Sequence, residues 1–296
     1  MNTFTEKFEK KEFERIKAFF ITRDAEFSEQ QYAVFRAKTS QCVAVLYNSG
    51  KFLMQGSDVS DIANEFLASL GKTTNTIHTS MPEQISNKNF IEHIGVDESG
   101  KGDFLGPLVI AGVLATKENA EKFIAAGIKD SKKLSDEKIL KLAGIIKANS
   151  IHSVVTIGNE KYNELYDKFK NLNKLLAWGH ARVIENILEK QPCSHALSDK
   201  FGKEELIKNA LMEKGRTIKL EQKVRGEEDI AVAAASVLAR AEYVNRMQTL
   251  SNRYEIELPK GASDKVLQTA REFIKKYSKD KLKYIAKLHF KTTELL

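Results

Sequence analysis

The chain has 296 residues, of which 42% are hydrophobic and 29% charged, with 47 Lys+Arg against 40 Asp+Glu. That length suits about two domains of roughly 100–200 residues each, and 8% aromatic residues with only 4 Pro exclude a disordered or fibrous chain. The apolar runs at 108–115 and 230–239 fall well short of the roughly 20 residues that cross a bilayer, so no membrane partner is expected.

The first residues, MNTFTEKFEKKEFER, mix acids and bases and lack an apolar signal core. Cys42 and Cys193 lie far apart with no CxxC, which speaks against a disulfide scaffold or a Cys-rich zinc site and makes the cytoplasm the expected compartment. Over 9–23, Phe13, Ile16, Phe19 and Phe20 recur at helical spacing and predict an amphipathic helix that runs into a strand. Three runs rich in β-branched and aromatic residues follow at 32–38, 42–47 and 51–55, separated by TSQ and NSG, which suit tight turns. Ser57 or Asp58 caps a helix that ends near Leu70, with Gly71 as its stop. Residues 1–75 are therefore expected to form a small curved antiparallel sheet backed by helices. The polar, aperiodic stretch around Pro82 places a linker at 76–90.

From residue 91 to 296 strands and helices alternate, which predicts an α/β domain (α+β for the chain as a whole) with a mixed sheet flanked by helices. The expected strands are 94–97, 108–115, 153–157, 195–199 and 218–224. The expected helices are 118–126, 135–148, 162–191 with an interruption, 229–250, 263–276 and 279–286. The Ala-rich start of the helix from 229 suits close approach to a sheet. Charge is uneven: residues 1–80 hold 10 basic and 10 acidic residues, whereas from Lys260 onward there are 10 basic against 4 acidic, interleaved with Tyr277, Tyr284 and Phe290. Such a tail either follows a phosphate backbone or is an ordinary solvated face.

The segment IGVDESGKGDFLGPLVIAGV, 94–113, is the most informative. A strand ends in adjacent acids, Asp97 and Glu98, so Asp97 is expected to face one layer of the sheet while Glu98 is turned by the start of a loop. Carboxylates there are costly unless exposed or bound to a cation. Gly95-x4-Gly100-Lys101-Gly102 nearly spells a phosphate loop, but Gly102 stands where a Ser or Thr hydroxyl is needed and two acids occupy the interior. Bound divalent metals reverse that sign, because acids recruit the ion and the ion meets a phosphodiester. Further acids are available at Asp199, ending the apolar run 195–199, and at Glu227 or Glu228, before the helix from 229. Four carboxylates suffice for two ions. The six histidines form no metal-ligand spacing and are read as structural or substrate-facing.

The strings VDESGKGDFLGPLVIAG, IKDSKKLS (128–135), NLNKLLAWGHA (171–181), LSDKF (197–201) and AVAAASVLAR (231–240) resemble bacterial ribonuclease HIII, and Gly100-Lys101-Gly102 has the HIII rather than the HII form. YAVFRAK and SGKFLMQG are similar to the domain resembling TATA-binding protein that precedes the catalytic domain in that family. The resemblance implies a ribonuclease H-like fold and cleavage of the RNA strand of RNA–DNA hybrids with two Mg²⁺ or Mn²⁺ ions, leaving 5′-phosphate and 3′-hydroxyl ends. It implies metal-binding catalytic roles for Asp97, Glu98, Asp199 and Glu227, with Glu228 the alternative to the last. It implies substrate contacts from Ser99, Gly100, Lys101, Gly102, Ser131 and Lys132; separately, a monomer with no obligate protein partner is expected. The alternatives kept open are an HII-like enzyme cutting at single ribonucleotides, a non-catalytic hybrid-binding protein and a nucleotide hydrolase of the phosphate-loop kind.

Overall fold

A computed structural model describes residues 2–56, 59–70, 90–129, 131 and 134–296. The chain divides into two compact units, Met1–Met81 and Pro82–Leu296. The expected linker at 76–90, except for residue 90, the helix cap at Ser57 or Asp58 and the Gly71 stop lie outside the described residues.

In the first unit an antiparallel sheet runs in the order β1-β5-β4-β3-β2, from β1 (Asn2–Lys7), β2 (Glu26–Ser28), β3 (Ala33–Lys38), β4 (Cys42–Tyr47) and β5 (Lys51–Gly56). β1 was not expected, because NTFTEK is polar apart from Phe4; it pairs with β5 from Asn2↔Gly56 to Lys7↔Lys51 and buries Phe4. Helices α1 (Phe13–Ile21) and α2 (Val59–Ser69) supply Ile16, Phe19, Phe20, Ile62 and Phe66 to the core. That core is a phenylalanine cluster: Phe66 stacks on Phe52 at 5.0 Å and meets Phe8 and Phe19 edge-on. Alternation leaves the other sheet face open, with Thr5, Lys7, Lys38, Lys51 and Gln55 exposed and Arg36 half-buried.

The second unit is built on a sheet ordered β10-β9-β6-β7-β8, from β6 (His93–Ser99), β7 (Leu108–Ala115), β8 (His152–Ile157), β9 (His195–Asp199) and β10 (Lys219–Lys223). β6, β7 and β8 are antiparallel, while β9 and β10 join parallel to β6. One face packs α3 (Lys117–Ala125), α4 (Asp136–Asn149), α8 (Ile230–Tyr254) and α9 (Asp264–Tyr277). The other packs α5 (Asn159–Phe169), α6 (Leu172–Leu188) and α7 (Glu204–Ala210).

The expected interruption in 162–191 is a clean break. Lys170 ends α5 in the left-handed region at φ 49° and the Asn171 side chain caps α6 by accepting from the Lys174 N–H. The expected helix at 279–286 is a 3-10 turn, Lys279–Tyr284, and α7 was missed because it is short and buries one residue, Ile207. The basic tail is only partly a solvated face. Eight of its ten cations are exposed, but Lys287 is completely buried, and Tyr277 and Phe290 pack against the core.

Candidate active site

The register of the sheet decides which acids meet. β6 runs to Ser99, two residues beyond the expected end, so Asp97 and Glu98 both lie on a strand and point to opposite faces. The loop does not turn Glu98. In the ladder, Ile94, Gly95 and Val96 pair with Ala196, Leu197 and Ser198, which brings Asp97 and Asp199 to neighbouring ends of parallel strands on one face. The same face carries the start of α8. Gly95 is required there, since a Cβ on it would lie 2.1 Å from the Ala231 carbonyl carbon.

Before α8, Arg225 at φ 58° turns the chain into a 3-10 turn, Gly226–Glu228. The Gly226 N–H donates to Asp199 Oδ1 at 3.0 Å, so Glu227 is the residue next to one tied to an acid of the strand ends. The three acids of this turn separate by environment. Asp229 is buried and employed as the helix cap, accepting from Ala231 and Val232 N–H, and it bonds His93 Nε2 at 3.0 Å. Glu228 is exposed and 3.8 Å from Arg225, whereas Glu227 is half-buried. His93, read with the other histidines as structural or substrate-facing, is tied into the fold on both nitrogens: its Nδ1–H donates to the Ile91 carbonyl at 2.8 Å. Burial lowers its pKa, but the hydrogen bond and charge of Asp229 and the Ile91 carbonyl outweigh burial and raise it above the usual histidine value.

On the opposite face Glu98 meets His180 of α6, with Oε2 3.0 Å from Nε2, and Lys101, with Oε1 3.2 Å from Nζ. Burial pushes the Glu98 pKa up, but the bond and charge of His180, then of Lys101, hold it below the ordinary glutamate range. Sequence reasoning passed over His180. The available signal was a lone histidine inside the otherwise apolar run of α6, together with Ser198 at a buried position of β9.

The glycine segment after β6 is a tight turn fastened from the C-terminal end. Gly100 has φ +88°, and a Cβ there would lie 2.3 Å from the Pro107 carbonyl oxygen. Gly102 is exposed, and a Cβ on it would meet nothing within 4 Å, so packing does not explain it. Gly261 N–H donates to Asp103 Oδ1, Phe104 N–H to the Gly261 carbonyl, and Lys287 Nζ to the carbonyls of Asp103 and Gly106 at 2.8 and 2.6 Å. Burial pushes the Lys287 pKa down to about 7, with Asp103 pulling the other way. The Ser131 N–H donates to Ser236 Oγ of α8; Lys132 lies outside the described residues. A phosphate loop is not formed: residues 95–99 are strand, Lys101 is paired with Glu98, and the glycines lead to β7 rather than into a helix.

The chain is similar to known proteins over most of its length. The family model for ribonuclease HII matches residues 94–293, and one for a domain of unknown function (DUF3378) matches residues 4–79. Ribonuclease HIII of Protochlamydia amoebophila is 40% identical over 270 residues, 90% of this chain and 87% of that protein. Ribonuclease HIII of Chlamydia pneumoniae is 42% identical over 269 residues, 90% and 88% of the two chains. The chain belongs to the ribonuclease HIII family. A crystal structure of Bst-RNase HIII in complex with Mn²⁺ superposes on this ribonuclease HIII fold with a TM-score of 0.67 at 27% identity, covering 99% of this chain and 97% of that one. The expected fold class is thereby established, and the chain is an enzyme of the ribonuclease H class. Among the described residues no helix is long and apolar enough to cross a membrane.

Use of a divalent metal is in keeping with that neighbour. Asp97, Glu98, Asp199 and Glu227 offer only carboxylate oxygens, the chemistry that suits Mg²⁺ or Mn²⁺. Among the described residues, no group of three or more His, Cys, Asp or Glu side chains is arranged to hold an ion as it stands. The geometry gives one reason: Glu98 is turned to His180 and Lys101 on the far face. The donor set fits in chemistry, Asp97, Glu98 and Asp199 stand at strand ends with Glu227 in the turn tied to Asp199, and Glu98 has one oxygen on an exchangeable partner.

Proposed function

We propose that the chain is a monomeric cytoplasmic endoribonuclease that hydrolyses the RNA strand of RNA–DNA hybrids, leaving 5′-phosphate and 3′-hydroxyl ends. The observation that carries this reading is the placement of Asp97 beside Asp199 at the ends of parallel strands, with the Gly226–Glu228 turn tied to Asp199. Asp97, Glu98, Asp199 and Glu227 hold two divalent ions, Mg²⁺ or Mn²⁺. Once bound, such ions supply an activated water and a counter-charge for the leaving 3′ oxygen. Clustered acids alone would repel a phosphodiester, so the same residues make little sense as a bare binding surface.

The remaining groups orient substrate. Ser99, Gly100, Lys101 and Gly102 face the sugar-phosphate chain, where the 2′-hydroxyl distinguishes RNA from DNA, and Gly102 leaves the space that a close backbone approach needs. Ser131 and Lys132 meet phosphates. The open sheet face of the first unit, with Arg36, Lys38 and Lys51, binds the duplex backbone without reading sequence.

The test is cleavage of an end-labelled RNA strand, in a full hybrid and as a single ribonucleotide in DNA, with Mg²⁺, Mn²⁺ or EDTA. Metal-dependent cutting of the hybrid, lost in Asp97→Asn while hybrid binding persists, is the expected result. No cutting under any metal returns the molecule to a hybrid-binding protein, and efficient cutting at the lone ribonucleotide moves its specificity towards the HII type.

A further inference from the structure

His180 lies in the middle of α6 with no exposed surface, among Leu176, Ala177, Val183 and Ile184. A polar ring in such a core is costly unless both nitrogens are satisfied. Both are. Nε2–H donates to Glu98 Oε2 at 3.0 Å, and Nδ1 accepts from the hydroxyl of Ser198, itself wholly buried, at 3.0 Å. The same hydroxyl shares its one proton with the Asp199 carbonyl at 2.9 Å, and Asp199 Oδ1 accepts from the Gly226 N–H. One hydrogen-bonded chain therefore links Glu98 on β6 through α6 to Asp199 on β9 and on to the turn that carries Glu227. The Phe201 ring, 4.7 Å from the imidazole, covers it from the loop after β9.

The two oxygens of Glu98 are treated differently. Oε2 is held by a ring that packing locks in place. Oε1 is 3.2 Å from Lys101, whose side chain is 38% exposed and stands on a two-glycine turn. An ammonium on a flexible stem is exchanged easily, whereas a buried imidazole is not.

We propose that His180 is a positioning residue for Glu98: it fixes Oε2 through the Ser198 chain and leaves Oε1 as the oxygen that passes from Lys101 to a divalent cation. The proposal rests on the carboxylate assignment of the preceding subsection. Lys101 is then a placeholder at Glu98, released towards substrate phosphate when the cation binds. Supporting residues of this kind typically change metal affinity by about 10- to 100-fold when removed.

The experiment uses the full chain as His180→Leu, His180→Gln and Ser198→Ala, with wild type as the reference. Mn²⁺ binding is measured by calorimetry without substrate, hybrid binding in EDTA, cleavage as a function of Mg²⁺, and thermal unfolding. His180→Leu is expected to weaken Mn²⁺ binding by about tenfold or more and to raise the half-saturating Mg²⁺ to match, with EDTA hybrid affinity unchanged. His180→Gln, which returns an N–H to Glu98, is expected to recover most of that loss. Ser198→Ala, nearly isosteric, is expected to show a smaller loss in the same direction and keeps the test open if His180→Leu does not fold. Unchanged Mn²⁺ affinity in a folded His180→Leu, or in Ser198→Ala where that variant does not fold, overturns the proposal. Failure of the wild type to cleave a hybrid in any metal defeats the hydrolase reading instead, so the two failures are distinguishable.

Discussion

Gly95→Ala separates a positional requirement of the site from ordinary core packing. The added methyl would lie 2.1 Å from the Ala231 carbonyl carbon and 2.3 Å from the Val232 nitrogen, both backbone atoms in the first turn of α8. Reaching the 3.4 Å of ordinary contact requires β6 and α8 to part by about 1.3 Å. A shift of that size stretches the 3.0 Å bond between His93 and Asp229 beyond range. Overpacking typically costs about 1–3 kcal/mol and a lost hydrogen bond about 1 kcal/mol, so about 2–4 kcal/mol is expected. Gly112→Ala is the comparator on the opposite face. Its methyl would come within 2.4 Å of Val183 Cγ1, a side-chain atom that can rotate, and no nearer than 3.4 Å to backbone, so a cost of about 1–2 kcal/mol is expected. Because Glu227 lies in the turn that leads into α8, Gly95→Ala should also lower kcat by about 10²-fold, the usual effect of a misplacement near 1 Å. Trp178, the single tryptophan, lies on α6 and reports urea unfolding of the second unit alone. A Gly95→Ala midpoint within about 0.5 kcal/mol of wild type with kcat unchanged, or a larger cost for Gly112→Ala, refutes the reasoning.

Gly102→Ala should leave thermal stability unchanged, because its methyl meets none of the described residues within 4 Å, and should raise KM for hybrid severalfold; an equal loss of stability and affinity would show that Gly102 serves the fold. Reversing Arg36 and Lys38 together to Glu should raise KM more than it lowers kcat and flatten the salt dependence of hybrid binding, which a salt titration checks directly. The His93–Asp229 pair makes stability depend on pH with a fixed sign. Since the folded-state pKa of His93 is raised, its contribution is complete below its unfolded value of about 6.5 and is lost as pH rises through the folded pKa. The stability gap between wild type and His93→Gln, about 1–3 kcal/mol at pH 6, should therefore narrow by pH 9; a gap that widens with pH contradicts the pairing.

The elements that could be read in the chain are those whose local signal is also the tertiary one. β7 buries every residue from Leu108 to Ala115, and a run so apolar has no other home than the middle of a sheet. The elements that were missed or misread depend on distant partners. β1 is a strand because β5 offers an edge to pair with, and only Phe4 in NTFTEK hints at it. Lys287 is inside because the turn at 103–106 presents two carbonyls to it, and nothing in the spacing of the C-terminal lysines sets that one apart.

For the site, the sequence places Asp97 and Glu98 next to each other, and the pleat sends them to opposite sides of the sheet. Each acid therefore needs its own supporting helix. Asp97 shares a face with the start of α8, which brings the Glu227 turn, while Glu98 shares a face with α6, which brings His180. A centre assembled from both faces has to lie at the end of the sheet, where the two sides meet around the strand termini. That explains why β6 gives way to a two-glycine turn just after its acids, and why Asp199 comes from the terminus of a parallel neighbour rather than from within a strand. The individual carboxylates are legible as strand-end acids. The imidazole that joins two of them is not, because its role follows from a sheet order that no local pattern encodes.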